Sequence, residues 1–265
     1  MTAPQHLYTS GSRRLYYRQS GLNPGQAEPL VLIHGLSGSR RWWRYNLPAL
    51  EAVRCVYVVE LVGFGSVRRR QRALGVQDAA ALVAEWIGAL NLNGVTVIGH
   101  SMGGQISLRV AALCPERVSG LVLAAASGLL HRAWWRVAAQ LPLALRRGRL
   151  NFVPTILADG ARAGLPNLIR SSRDLLRDDV TDLLPGIVQP TLVIWGKNDV
   201  LLPPALGEAI AAGIRDSRFV LLPHAGHVLM VDSPFEFNRE VLAFLAQSLR
   251  AQPQPTPPHD AGETP

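Results

Sequence analysis

Residues Val95-Thr96-Val97-Ile98 run without a break into Gly99-His100-Ser101-Met102-Gly103-Gly104, and an apolar-periodic stretch follows to about Leu113. A short, wholly apolar strand needs cover on both faces, which is the situation of a strand inside a parallel sheet. The small residues around Ser101 fit G-x-S-x-G, a turn that lifts a serine hydroxyl off the end of such a strand. A tight strand-to-helix turn leaves no room for Cβ atoms two positions either side of the serine, and glycine tolerates the dihedrals required. Five loose positions recur by chance in unrelated chains. The β-branched run before them and the helical period after them give the pattern its weight.

The same rhythm repeats along the chain. Residues 6–19 read as a hairpin around Ser10-Gly11-Ser12. Apolar strand runs follow at 29–33, 53–61 and 118–125, with helical patterns at 40–52 and 76–92 between them. From 128 to 185 no strand pattern occurs, only short apolar, arginine-rich helical pieces broken by proline and glycine. Strand, helix, strand and helix then resume at 191–195, 203–213, 218–222 and 234–249. Alternation of this kind predicts an α/β fold with a mostly parallel sheet and right-handed crossovers. The expected organisation is a core formed by 1–127 and 186–250, an inserted helical cap at 128–185, and a disordered Pro-rich tail at 251–265.

At 265 residues, 48% of them hydrophobic, the chain can bury one large core. No apolar run approaches the roughly 18 residues of a spanning helix. The first residues lack the layout of a secretory signal, so a soluble cytoplasmic protein is expected. Cys55 and Cys114 lie in apolar contexts and read as free buried thiols, and no spacing of cysteine and histidine suggests a metal. The net charge of +8 comes almost entirely from arginine, Lys197 being the only lysine. These arginines are scattered and form no nucleic-acid module, so a compositional bias explains them better than a nucleic-acid partner. Runs at 68–70 with Arg72 and at 146–149 read as solvated faces. The sharper alternative is attraction of acidic ligands or an anionic surface, because residues 131–180 hold nine arginines against four aspartates. Residues 131–139, with Trp134 and Trp135, are basic and amphipathic; lid packing and lipid contact are both open.

A serine hydroxyl needs a neighbouring base, and the base works best when a carboxylate orients it. In a parallel sheet such groups gather in loops at the carboxyl ends of strands. Three candidates meet that condition: Ser101 after strand 95–98, Asp199 after 191–195, and His227 after 218–222. An oxyanion pocket would need backbone N–H groups. Met102, next after the serine, offers one, and the loop after strand 30–33 offers another at Leu36, with Ser37 as the lesser choice.

Taken together, HGLSGS (34–39), ELVGFGS (60–66), GHSMGG (99–104), GKND (196–199) and GH (226–227) resemble the α/β-hydrolase superfamily over about residues 6–249. The resemblance implies an α/β-hydrolase fold and a serine triad of Ser101, Asp199 and His227, without cofactor or metal. One departure is Glu60, where the family usually carries an aspartate of structural purpose. No acid follows strand 118–125, so the acid position used by some relatives is empty. His224 is a rival base but lacks the preceding glycine; His34, His100 and Asp232 read as structural. The spacing around Gly63-Phe64-Gly65 is wrong for a dinucleotide loop. The implied activity is cleavage of a fairly apolar carboxylic ester through an acyl-enzyme, with oligomeric state open. Three alternatives stand beside it. Carbon–carbon bond hydrolases of ring-cleavage products typically carry asparagine where this chain has His100. Perhydrolase-like relatives often place proline near the oxyanion loop. A hydrolase-like binding or accessory protein is the third.

Overall fold

The structure, a computed structural model, describes residues 4–65, 71–129 and 134–250, with side chains described in these spans except at 134–138 and 248–250. The arginine run at 68–70, residues 131–133 of the basic amphipathic run with the indoles of Trp134 and Trp135, and the expected tail at 251–265 lie outside what is described.

Among the described residues eight strands form one sheet: β1 (Gln5–Ser10), β2 (Arg13–Gly21), β3 (Leu30–Ile33), β4 (Cys55–Glu60), β5 (Val95–His100), β6 (Val118–Ala124), β7 (Thr191–Gly196) and β8 (Ser217–Leu222). Their order is β1-β2-β4-β3-β5-β6-β7-β8. The β1/β2 hairpin and its pairing to β4 are antiparallel, and every other neighbour pair is parallel. Strands β3, β4, β5 and β7 are buried at every residue, as their unbroken apolar runs require. Each fully buried Val, Leu or Ile there contributes about 1.5–3 kcal/mol relative to exposure. At one edge β8 is half-buried or exposed at every residue before Leu222 and carries the exposed Arg218, a feature that discourages a further strand from pairing.

The helices are α1 (Leu47–Glu51), α2 (Val76–Ala89), α3 (Met102–Leu113), α4 (Trp134–Arg147), α5 (Val153–Ala163), α6 (Leu165–Arg177), α7 (Pro204–Gly213), α8 (Leu229–Asp232) and α9 (Pro234–Arg250). One stretch departs from the sequence reading. A continuous helix over 40–52 is replaced by a 3-10 turn, Arg40–Trp43, and the short α1. Pro48 sits in the first turn of α1; its ring would clash with the carbonyl four residues back and it donates no N–H, so the helix starts afresh. Between β6 and β7 the described residues form α4, α5 and α6 and no strand.

Buried polar contacts tie that helical segment to the sheet. Asp159 on α5 is fully buried and accepts from Ser39 Oγ (2.7 Å), Trp42 Nε1 (3.1 Å), Arg41 (2.5 Å) and Arg162 (3.0 Å). On α6, Asp174 accepts from the Val76 N–H at 2.6 Å, capping α2, whose own N-cap is Gly75. Just beyond α6, Asp178 takes two bonds from the guanidinium of Arg109 on α3. Both cysteines are buried and free.

Candidate active site

Ser101 stands between β5 and α3 with φ +53° and ψ −118°, a region that costs a non-glycine residue about 1–3 kcal/mol. The surroundings hold it there. A Cβ at Gly99 would overlap the Gly103 carbonyl, and one at Gly103 would overlap the carbonyls of Ile33 and His34. Ser101 N–H donates to the Ala124 carbonyl at 2.9 Å, and its own carbonyl accepts from Ser127 N–H at 3.1 Å.

The three residues singled out by strand-end position converge. His227 Nε2 lies 3.1 Å from Ser101 Oγ, and His227 Nδ1 lies 2.7 Å from Asp199 Oδ2. An ionised carboxylate only accepts, so the imidazole proton resides on Nδ1 and Nε2 is free to accept from the serine hydroxyl. The other carboxylate oxygen of Asp199 accepts from the N–H groups of Leu201 and Leu202, both at 2.9 Å. One carboxylate thus orients the imidazole and holds its own turn. After β6, where the empty acid position was expected, stand Ala125, Ala126 and Ser127; the Ser127 hydroxyl donates to Gln105 at 2.7 Å. His224 is exposed and does not line the cavity at Ser101.

His34 and His100, expected to pack or hydrogen-bond, each make defined contacts. His100 Nε2 donates to the His227 carbonyl at 2.9 Å, while its ring lies 5.0 Å from the His227 ring and 5.6 Å from Trp42. His34 Nδ1 donates to the Gly35 carbonyl at 2.8 Å, and its Nε2 accepts from Leu61 N–H at 3.1 Å, joining the loops after β3 and β4. Loss of hydration is the main force holding both imidazoles below their ordinary pKa, so both are neutral; for His100 repulsion from His227 adds to it. Glu60, the departure from the family aspartate, is buried, accepting from Gln5 at 3.1 Å and from the Arg40 N–H at 3.4 Å. Asp232 accepts from the N–H groups of Arg149 (2.8 Å) and Gly226 (2.9 Å), fastening the end of α4 to the His227 loop. Its burial raises the carboxyl pKa against those two donors.

Leu36 lines the cavity above Ser101, and Gly35 presses against the serine: a Cβ there would stand 3.1 Å from Ser101 Cβ. Met102 is buried at the first position of α3, where a backbone N–H has no intrahelical acceptor. The cavity measures about 680 Å³, in the range of small-molecule sites. Beyond Ser101 and His227 its wall is largely apolar and comes from the helical segment, with Leu145, Phe152, Ile156, Leu168 and Leu176 among its residues. Asp159 was not foreseen. A single carboxylate inside the apolar run Ile156-Leu157-Ala158 was the available signal. Among the described residues no cluster of side chains could hold a metal ion, and no helix is long and apolar enough to cross a membrane.

A model of the alpha/beta hydrolase family matches residues 30–240. The chain belongs to that family. Among its relatives is a putative carbamate hydrolase of Pseudomonas savastanoi pv. phaseolicola, 30% identical over 82% of this chain and 93% of the relative. A 2-hydroxy-6-oxo-6-(2'-aminophenyl)hexa-2,4-dienoic acid hydrolase of Metapseudomonas resinovorans is 26% identical over 85% of this chain and 87% of that protein. Among solved structures, a hydrolase from Pseudomonas aeruginosa PA01 superposes with a TM-score of 0.75 at 28% identity, covering 91% of this chain and 98% of that one. Each of these proteins is named a hydrolase.

Proposed function

We infer that the protein is a serine hydrolase that cleaves carboxylic esters of apolar acyl groups through an acyl-enzyme. The observation that carries this reading is the unbroken line Ser101 Oγ, His227 Nε2, His227 Nδ1, Asp199 Oδ2, with spacings of 3.1 and 2.7 Å, at the foot of an apolar cavity. In the mechanism, Ser101 Oγ attacks the ester carbonyl as His227 Nε2 takes its proton. Asp199 keeps the proton on Nδ1 and stabilises the imidazolium that forms. The N–H groups of Leu36 and Met102 hydrogen-bond the oxygen that gains charge; one such donor is worth about 10²–10³ in rate. Collapse of the tetrahedral intermediate breaks the ester C–O bond, and His227 protonates the departing alkoxide. His227 then takes a proton from water, whose oxygen adds to the acyl carbon, and Ser101 leaves with that proton. Helices α4–α6 act as a cap whose apolar wall takes the acyl chain.

The test is a fluorophosphonate label combined with a p-nitrophenyl ester series of rising acyl length. Native protein is labelled at Ser101 and turns over the longer esters; Ser101→Ala does neither while remaining folded. Undiminished ester turnover by Ser101→Ala would overturn the mechanism. A second reading, carbon–carbon bond hydrolysis, is favoured by the Metapseudomonas relative. Against it stands His100, fixed by its bond to the His227 carbonyl where those enzymes typically carry asparagine. Adding a vinylogous 1,5-diketone and a carbamate to the panel decides among the three bonds, and rapid labelling without turnover of any of them would point to a binding role.

A further inference from the structure

We propose that the face around the cavity opening docks on an anionic lipid bilayer. Three leucines that line the cavity, Leu141, Leu157 and Leu165, are themselves 46%, 61% and 68% exposed, so the cavity opens to solvent through an apolar rim. Leu143 and Leu150, in the same helical segment, are exposed as well without lining the cavity. Several large exposed leucines gathered at one opening are unusual on a surface that faces only water and mark an interaction site.

The charge on the same helical segment selects the partner. Arg146 and Arg147, on the last turn of α4, are exposed and form no ion pair among the described residues. The four aspartates of residues 131–180 each hold a partner within the protein. Asp159 is buried between Arg41 and Arg162, Asp174 caps α2, Asp178 pairs with Arg109, and Asp179 accepts from Thr181. Asp232, the acid nearest the end of α4, is occupied by two backbone N–H groups. The helical segment therefore offers exposed leucine side chains and, among the described residues, guanidinium groups with no ion pair. Hydrocarbon with phosphate at its boundary complements that pair of features, and amphipathic basic helices lie in such interfaces. The seat also fits the cavity: a chain leaving the bilayer would enter between the leucines without crossing water.

The experiment is flotation of full-length protein with vesicles of phosphatidylglycerol mixed equally with phosphatidylcholine, against vesicles of phosphatidylcholine alone. It is run on Ser101→Ala, so the result does not depend on the ester reading. Binding to the anionic vesicles is expected, with weak binding to the neutral ones. Arg146→Gln/Arg147→Gln should weaken it on the order of 25-fold, because each basic residue near an anionic surface contributes roughly a fivefold factor. Leu143→Ser/Leu150→Ser should weaken it too. Neither pair lines the cavity, so in the Ser101 background both variants should hydrolyse a short water-soluble ester as the native protein does. Absence of vesicle binding, equal binding to both vesicle types, or binding unchanged by either variant pair overturns the proposal. So does a concentration-dependent dimer abolished by Leu143→Ser/Leu150→Ser without vesicle binding, since the rim would then be an interface between copies of the chain.

Discussion

Gly35→Ala offers a way to test the oxyanion assignment without touching the serine, the histidine or the aspartate. A Cβ at Gly35 would stand 2.8 Å from His100 Nδ1, 3.1 Å from Ser101 Cβ and 3.2 Å from the His100 carbonyl. Ordinary contact begins near 3.4 Å, so about 0.6 Å must be recovered against His100 (3.4 − 2.8). Gly35 has no positive φ, so alanine carries no backbone penalty to confuse the result. The His100 ring cannot give way easily, since it is bonded to the His227 carbonyl and packed between Trp42 and His227. The loop after β3 must therefore move, and the Leu36 N–H moves with it. A donor displaced by half an ångström or more leaves the narrow range in which it stabilises the developing oxyanion. kcat should fall about 10–100-fold with KM changed by less than about threefold, because the donor acts on the transition state. Overpacking should cost about 1–3 kcal/mol of stability. Steady-state hydrolysis of p-nitrophenyl butyrate and urea unfolding measure the two effects separately. Native kcat in a protein destabilised by that amount would show that the loop moves without consequence, and would refute the role given to the Leu36 N–H.

Other outcomes follow from single contacts. Asp159→Ala removes the carboxylate that serves Arg41, Arg162, Ser39 and Trp42, and should cost about 3–5 kcal/mol in chemical unfolding. His34 and His100 are buried and neutral with pKa values below 6.5. The unfolded chain binds more protons than the folded one between the lowered values and 6.5, so stability is lost as pH falls through that window. Urea titrations between pH 7 and 5 should show this loss, and His100→Asn should make the fall shallower. Gly88→Ala, in α2 where a Cβ would meet nothing within 4 Å, should raise stability by about 0.5 kcal/mol in the same assay.

What could be read from the sequence was whatever local chemistry dictates. Unbroken apolar runs such as Leu30–Ile33 and Val95–His100 became buried parallel strands because no other environment suits them. Gly99 and Gly103 were legible because a side chain at either position collides with backbone. Ser101, Asp199 and His227 were legible because each follows its own strand, and the sheet brings strand ends together whatever lies between. The helix over 40–52 failed where a local signal, Pro48, was outweighed by the apolar period on either side of it.

Contacts between distant segments left far weaker traces. Asp159 lies 118 residues from Arg41 and 120 from Ser39, and nothing near it announces either partner. Asp174 caps a helix that begins 98 residues earlier, at Val76, replacing the side-chain cap that Gly75 cannot supply. Both acids belong to the helices between β6 and β7, the part of the chain whose own sequence said least about its use. A helix that forms the wall of a cavity needs an apolar inner face, but its position over the cavity is fixed by polar groups on other elements. The contacts that place α5 and α6 therefore decide the width of the space above Ser101, and under the proposed ester mechanism the acyl chains that fit it. Substitutions at Asp159 or Asp174 should accordingly change the preferred acyl length in the ester series before they abolish turnover of the shortest ester. Equal losses across all chain lengths would instead mean that these acids serve stability alone.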